Sequence, residues 1–291
     1  MAYLRFNYRS EALGKYIDVS VVLPMENYSY YKEGSGFQPR IHLGPNTKPM
    51  YHDGMKFQTV YLIHGGGDDD SLPYRLTSVE RYAVANNVML VTPDISNSFG
   101  ADTEYGVDYS LFLTEELPVV IQSMFPSSQA REDNFIIGFA MGGNAALHAA
   151  MRRPSRYAVC IDMSGGIGYT LDIEQFKAEI NGEHFSKDFY LHNATFGPAD
   201  KIEGSRHDLR YMAKDLLESG LAAPKFYVLA GSEEGFIGAR VKRDAELLAE
   251  MGFDVTYVEE PGGKHDFDLW DKYLRIALSE WLPLRRDPAA V

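Results

Sequence analysis

Six short runs of apolar residues, spaced along most of the chain, limit more than any other feature how it can fold. Each run is too short for a typical helix and is rich in β-branched and aromatic residues, which is typical of parallel strands buried on both faces. The runs are TVYLI (59–63), VMLVT (88–92), FII (135–137), YAVCIDM (157–163), KFYVLA (225–230) and VTYVEE (255–260).

Stretches with helical character lie between these runs, among them VERYAVANN, LFLTEELPVVIQSMF, NAALHAAMRR, RVKRDAELLAEMG and YLRIALSEWL. Alternating strands and helices predict a mostly parallel, doubly wound α/β sheet. Before them, YIDVSVVL (16–23) alternates apolar and polar residues, and we expect an antiparallel edge strand there.

Two segments break this rhythm within what we expect to be a single domain over residues 1–291. Residues 26–57 mix Gly, Pro, Asn and aromatics without periodicity, which predicts an insertion loop. Residues 165–224 separate two predicted strands by far more than a crossover needs and are rich in His, Phe and Tyr. We expect a cap-like insertion there.

The stretch GFAMGG follows the third of the six runs and precedes a helix of small residues. Gly138, Ala140 and Gly142 have the spacing of the G-x-S-x-G nucleophile turn, except that alanine stands in place of serine. A methyl group cannot attack a carbonyl carbon, so acyl transfer cannot use this position as it stands. The alternative interpretation is an ordinary glycine-rich turn.

A second glycine-rich loop, His64 to Gly67, directly follows the first run. The His-Gly-Gly-Gly form supplies a backbone N–H to an oxyanion hole, and the N–H of Met141 is expected to supply the second. A tight turn without a chemical role is the alternative. Gly65 of this loop is expected to contact substrate.

A histidine and a carboxylate follow the last two runs, in the chain order that such a site requires. His265 lies on a glycine-rich loop after VTYVEE, and GSEEG after KFYVLA offers Glu233 and Glu234. We favour Glu234 as the acid that orients His265, and solvated loop charges are the alternative. Asp266 is a poorer candidate, because adjacency in sequence seldom gives a hydrogen bond, and Asp162 is a poorer one because it lies within a predicted strand.

Two other residues near these motifs have simpler interpretations. Ser164 has no nucleophile turn around it and is interpreted as part of a structural turn. Trp270 packs the terminal helix and is close enough in sequence to His265 to line a substrate pocket.

Composition excludes several classes of function. A formal net charge of −13 without a basic patch argues against nucleic acid as a partner. The only cysteine, Cys160, allows neither an intramolecular disulfide nor a thiolate metal cluster, and no H-E-x-x-H motif is present, so no cofactor or metal is expected. Neither a leader peptide nor a membrane span is predicted. We expect a cytoplasmic protein, although a secreted one whose leader had been removed would look the same.

Together the motifs resemble the tributyrin esterase and esterase D-like branch of the α/β-hydrolases, which includes feruloyl and acetyl esterase domains. The resemblance is carried by HGGGDD, SVERYA, TPD, EYGVDY, EELPVVI, MFPSSQAREDNFIIGFAMGG and PGGKHDFDLWD. It implies an α/β-hydrolase fold, with the nucleophile position at Ala140, the base at His265, the acid at Glu234, and oxyanion donors at Gly66 and Met141. The family usually has Asp where Glu234 stands.

Two interpretations of the alanine remain open. The chain is either a serine carboxylesterase in an inactivated Ser-to-Ala form, or a naturally inactive relative that binds a ligand without turnover. The expected partner is a small ester, with acyl groups from acetyl to hydroxycinnamoyl, including esters derived from plant cell walls. An S-formylglutathione hydrolase is the alternative within the same chemistry, and homo-oligomerisation is left open.

Overall fold

The computed structural model describes residues 1–24, 54–166, 171–172, 174, 194–285 and 289–290. Within these residues, eight strands form one sheet, and two further short strands pair with each other. The strands are β1 Ala2–Arg9, β2 Tyr16–Leu23, β3 Met55–Lys56, β4 Thr59–Ile63, β5 Met89–Pro93, β6 Asn134–Phe139, β7 Val159–Met163, β8 Lys225–Gly231, β9 Val255–Glu260 and β10 Ala289–Ala290.

The large sheet has the strand order β1-β2-β5-β4-β6-β7-β8-β9. Strands β4 to β9 pair in parallel, whereas β1 pairs with β2 and β2 with β5 in the antiparallel sense. The predicted mostly parallel sheet is therefore confirmed. The expectation that residues 16–23 form the edge was wrong, because β1 lies outside β2 and covers its free hydrogen-bonding groups.

Helices cover both faces of the sheet. They are α1 Leu72–Leu76, α2 Val79–Asn86, α3 Tyr109–Leu111, α4 Leu117–Met124, α5 Met141–Arg152, α6 Leu209–Ser219, α7 Phe236–Glu250 and α8 Phe267–Ile276. A π-helical segment, Phe112–Glu116, joins α3 to α4, and another, Ala277–Trp281, follows α8. Apolar side chains of α5, α6 and α7 pack on one face, and those of α2 and α8 pack on the other.

Alternate residues of each central strand enter opposite cores, as the period of two requires. In β6, Ile136 faces the α5 side while Phe135 and Ile137 face the α8 side. Cys160 of β7 is completely buried, and burial raises the pKa of its thiol well above the ordinary value. The central strands are thus buried on both faces, which explains their uninterrupted apolar character.

The two predicted insertions are described only in part. Of residues 26–57, those up to 53 lie outside the described residues, and Met55–Lys56 pairs with Ala289–Ala290. In the 165–224 segment, α6 buries Leu209, Ala213 and Leu216 in the same core as α5. Residues 167–170, 173 and 175–193 lie outside the described part, so a cap there stays a prediction.

Candidate active site

The glycine-rich turn at the end of β6 has the geometry of a nucleophile elbow. Ala140 links β6 directly to α5 and has φ 52° and ψ −126°, a conformation that L-residues rarely adopt. Its N–H donates to the Met163 carbonyl oxygen of β7 at 2.9 Å, and its own carbonyl oxygen accepts from the Gly143 N–H at 2.9 Å. A strained backbone held by its neighbours is typical of functional positions.

Close backbone approaches account for the glycines around Ala140. A Cβ on Gly138 would lie 1.9 Å from the Gly142 carbonyl oxygen, and one on Gly142 would lie 2.2 Å from the Ile63 carbonyl oxygen. No rotation of a side chain can relieve such overlaps, because the atoms met are backbone atoms. The sequence pattern therefore follows from the packing of β4, β6 and the first turn of α5.

The His64 to Gly67 loop lies directly beside the elbow. A Cβ on Gly65 would be 3.4 Å from the Ala140 Cβ, and one on Gly66 would be 3.9 Å from the Met141 Cβ. Met141 is the first residue of α5, so its N–H has no partner four residues back within the helix. The positive end of the helix dipole also points at this position.

The side chain of His64 anchors this loop. It is completely buried, and its Nδ1 donates to the Gly65 carbonyl oxygen at 2.8 Å while its Nε2 accepts from the Ile95 N–H at 2.9 Å. The Asn97 Oδ1 accepts from the Gly67 N–H at 2.7 Å. Both ends of the glycine run are thus fixed, which holds its peptide groups in one orientation.

The structure brings the predicted histidine and one of the two predicted acids together. The Nδ1 of His265 lies 3.3 Å from the Glu234 Oε2, and because a carboxylate only accepts, the imidazole carries its proton on Nδ1. The Glu234 side chain is completely buried, whereas that of His265 is 30% exposed. Glu233 lies at the surface, with its carboxylate 4.0 Å from the Lys264 amine.

Backbone hydrogen bonds join the loop of the acid to the loop of the histidine. The Glu233 N–H donates to the Gly263 carbonyl oxygen at 2.9 Å, and the Gly262 N–H donates to the Ser232 Oγ at 2.8 Å. A Cβ on Gly231 would lie 2.3 Å from the Gly263 carbonyl group, so the two loops touch through their main chains. This contact fixes the distance between Glu234 and His265.

Aromatic packing links His265 to the elbow. Trp270 meets the His265 ring edge-on at 5.0 Å between ring centroids, and it stacks on Phe139, the residue before Ala140, at 5.2 Å. Trp270, expected from the sequence to line the substrate pocket, is only about 5% exposed. Its indole lies in the core shared by α8 and β6, so its observed contacts support the site rather than form an open wall.

Ser164 is the residue at this site that the sequence analysis missed. It follows β7, and its Oγ lies 2.7 Å from the Glu234 Oε1 and 3.1 Å from the Trp270 Nε1. Its interpretation as a residue in a structural turn omitted this hydroxyl contact. The available indication was topological, because β7 and β8 are neighbours and residues just beyond their carboxyl ends meet at one edge of the sheet.

A buried carboxyl group lies behind the elbow. Asp162 of β7 is 1% exposed, and its Oδ1 would lie 2.1 Å from a Cβ on Gly143 and 2.3 Å from one on Gly165. Among the described residues, this oxygen has no hydrogen-bond partner. Burial raises the pKa of Asp162 to about 7, an effect that the nearby Glu234 increases and the Gly165 N–H opposes.

The described part of the chain contains no group of three or more His, Cys, Asp or Glu side chains that could hold a metal ion. Nor does any helix in the described ranges combine the length and apolar character needed to cross a membrane.

Comparisons with known proteins support the fold described above. The acetyl esterase of Caldicellulosiruptor saccharolyticus is 27% identical over 284 residues, which cover 97% of this chain and 98% of that protein. The solved S-formylglutathione hydrolase of Staphylococcus aureus superposes with a TM-score of 0.74 at 23% identity, covering 97% of this chain and 98% of that one. A solved ferulic acid esterase gives 0.68 at 17% identity, covering 95% and 96%.

These likenesses and the sheet topology establish an α/β-hydrolase fold for this chain. The family model described as "Putative esterase" matches residues 45–274, which is most of the chain. The chain therefore belongs to the esterase family.

Proposed function

We propose that this chain is the inactivated Ser-to-Ala form of a serine carboxylesterase, in which Ala140 occupies the position of the nucleophile. The observation that carries the proposal is the hydrogen-bonded pair of His265 and Glu234, in which the acid is buried and the histidine partly exposed. A protein that only binds ligands has no need for a histidine oriented in this way. The match to the esterase family supports the same conclusion.

The chemistry requires a hydroxyl at residue 140. With serine there, His265 removes the hydroxyl proton as the oxygen attacks the ester carbonyl carbon, and Glu234 stabilises the imidazolium that forms. The N–H groups of Gly66 and Met141 stabilise the oxyanion. His265 then gives its proton to the departing alcohol, and water repeats the sequence to release the acid.

Residues around this centre complete the proposal. Gly65 would face the substrate, since it lies beside the Ala140 methyl group. We propose that Trp270 contributes by holding His265 rather than by direct contact with substrate. The chain forms one catalytic domain in this proposal, with the insertion at residues 165–224 as the expected cap.

The first experiment is the Ala140→Ser variant, assayed on p-nitrophenyl acetate. Hydrolysis should rise on the order of 10⁴-fold or more over the parent chain, because loss of the serine in a related triad costs about 10⁶ in turnover. Absence of any gain in a folded variant would refute the proposed nucleophile position.

A matched pair of glutamate variants tests the acid. In the Ala140→Ser background, Glu234→Gln should remove most of the gained activity, because an amide can present its NH₂ group to His265 and does not stabilise the imidazolium. Glu233→Gln makes the same chemical change in the neighbouring, exposed side chain and should retain activity. Equal effects of the two substitutions would contradict the assignment.

We propose that the acyl group is short, because an acetyl esterase is 27% identical to this chain over 97% of its length. The Ala140→Ser variant should therefore show a higher kcat/KM, relative to the uncatalysed hydrolysis rate of each substrate, on p-nitrophenyl acetate than on methyl ferulate or S-formylglutathione. A preference for methyl ferulate would instead indicate an ester derived from plant cell walls, and a preference for S-formylglutathione would indicate a thioesterase.

The alanine itself favours a second candidate function, binding of an ester without turnover. In that case the parent chain would bind an intact ester and the Ala140→Ser variant would gain no hydrolysis. The hydrolysis assay of the Ala140→Ser variant therefore distinguishes the two functions, and equilibrium dialysis of the parent chain with a radiolabelled ester tests the binding that both require.

A further inference from the structure

Ser164 has an unusual backbone conformation for a residue that is not glycine. It lies just beyond β7 with φ 64°, in the left-handed region, and it is completely buried. Its N–H donates to the Leu229 carbonyl oxygen of β8 at 2.8 Å. Glycine would adopt this conformation without strain, so the presence of serine needs another explanation.

The Ser164 hydroxyl lies between two polar side chains whose chemistry fixes the direction of its hydrogen bonds. The Trp270 Nε1 is only a donor, so at 3.1 Å it donates to the Ser164 Oγ. The Glu234 carboxylate only accepts, so at 2.7 Å the hydroxyl donates to its Oε1. The hydroxyl proton is therefore directed at Glu234, while the hydroxyl oxygen accepts from Trp270.

This bond determines which carboxylate oxygen faces the histidine. The Gly231 N–H also donates to the Glu234 Oε1, at 2.9 Å. Two donors on Oε1 leave Oε2 for the His265 Nδ1. Without the hydroxyl, a single backbone donor would hold Oε1, and the carboxylate could rotate about its terminal torsion, which has broad minima.

We propose that Ser164 is a positioning residue that holds the Glu234 carboxylate in the orientation that binds His265. The proposal rests on the proposed esterase function for its catalytic meaning, because it assigns to Glu234 the role of the acid. The left-handed backbone is an independent observation in its favour, since strained residues persist where the surrounding structure and function require them.

Trp270 extends the same arrangement. Its indole donates to the Ser164 Oγ, packs edge-on against His265 and stacks on Phe139. One ring thus contacts the histidine directly and the glutamate through the serine. Substitution of Trp270 would disturb several contacts, so the test is made at Ser164.

The first arm of the test uses the parent chain and needs no nucleophile. The His265 Nδ1 proton, bonded to a carboxylate, should give a downfield ¹H resonance protected from exchange with water. Ser164→Ala and Ser164→Gly both remove the hydroxyl, and both should accelerate this exchange by about 10-fold or more, because a hydrogen bond to a charged group is lost.

The two variants differ in backbone strain, which separates the hydroxyl from the fold. Ser164→Gly relieves the left-handed conformation and should melt at or above the temperature of Ser164→Ala. If Ser164 had only a structural role, the exchange rate of the His265 Nδ1 proton would rise in the variant that melts lower and not in the one that melts higher. Ser123→Ala, which removes an exposed hydroxyl bonded to the Val119 carbonyl oxygen, is the control and should leave the resonance unchanged.

The second arm measures catalysis in the Ala140→Ser background. Adding Ser164→Ala should lower kcat by about 10-fold with little change in KM, because the glutamate stabilises charge that develops on His265 only during the reaction. An unchanged Nδ1 resonance, or a kcat within about twofold of that of the Ala140→Ser variant, would overturn the proposal.

Failure of the proposed function would give a different combination of results from failure of the positioning role. If Ala140→Ser is inactive while Ser164→Ala and Ser164→Gly still weaken the Nδ1 resonance, the positioning role stands and the esterase assignment fails. If Ala140→Ser is active and the Ser164 variants change neither measurement, the esterase assignment stands and the positioning role fails.

Discussion

Replacement of Asp162 by asparagine should change how the stability of the protein depends on pH. Burial raises the pKa of this carboxyl from its ordinary value of 3.8 to about 7 in the folded chain. The folded state therefore binds a proton between these two pH values when the unfolded state does not. By linkage, the stabilisation that comes from keeping this carboxyl neutral is fully present below about pH 4. It decreases as pH rises to about 7 and is lost above that pH.

The two pKa values set the size of the effect. Their difference corresponds to about 4 kcal/mol of unfolding free energy, of which about 3 kcal/mol is lost between pH 5 and pH 8. Asp162→Asn cannot ionise, so it should be more stable than the parent at pH 8. Its advantage should shrink by about 3 kcal/mol at pH 5.

Urea unfolding of both proteins between pH 5 and pH 9, followed by tryptophan fluorescence, measures this difference directly. Asp254→Asn is the matched control, because it makes the same chemical change in a side chain that is 69% exposed. Its pH curve should run parallel to that of the parent. If Asp162→Asn also runs parallel to the parent, the carboxyl is not held neutral by burial and the reasoning fails.

Two further substitutions test the packing around the site. Gly142→Ala should destabilise the fold by about 4 kcal/mol or more, because the new Cβ would lie 2.2 Å from the Ile63 carbonyl oxygen. The control Gly14→Ala, at φ 64° in open space, should cost about 1 kcal/mol. Similar melting temperatures of the two variants would contradict the steric argument. Arg5→Met should cost about 1 to 3 kcal/mol in urea unfolding, because it leaves the completely buried Asp70 carboxylate without the guanidinium that binds it at 2.7 Å, and the 45% exposure of Arg5 reduces the cost. A change under about 0.5 kcal/mol would contradict this view of the pair.

The central sheet could be predicted from the sequence because burial on both faces leaves a strong local pattern. Thr59–Ile63 has the predicted bounds and is buried throughout, and β6 extends the predicted FII run at both ends. Val255–Glu260 also has the predicted bounds, but the expectation that it is buried on both faces was wrong, because it is the last strand of the sheet and no residue of it is fully buried. The sharp turn at Ala140 could be predicted from the sequence as well, because the steric need for Gly138 and Gly142 arises from neighbouring backbone atoms.

Elements at the margins of the fold left weaker patterns. Strand β1, AYLRFNYR, mixes exposed Tyr3 and Leu4 with charged residues, because an edge strand faces solvent along much of its length. Helix α6 was not recognised because it lies within the long 165–224 segment, although its apolar residues follow a helical period.

The site shows the same division between local and non-local information. Chain order was sufficient to predict His265 and to favour Glu234, and the structure brings the two together. Ser164 was missed because its contact with Glu234 depends on the pairing of β7 with β8 across 70 positions of sequence. Such a contact becomes visible only after the strand order is known.

The position of Cys160 gives this protein an internal reporter. Its sulfur is the only thiol of the chain and is sealed within the middle of the sheet, where burial also disfavours the reactive thiolate. Alkylating reagents should therefore modify the protein only when the helices on the α5 face move away from the sheet. The labelling rate measures how often the scaffold beneath the elbow opens, without an introduced probe.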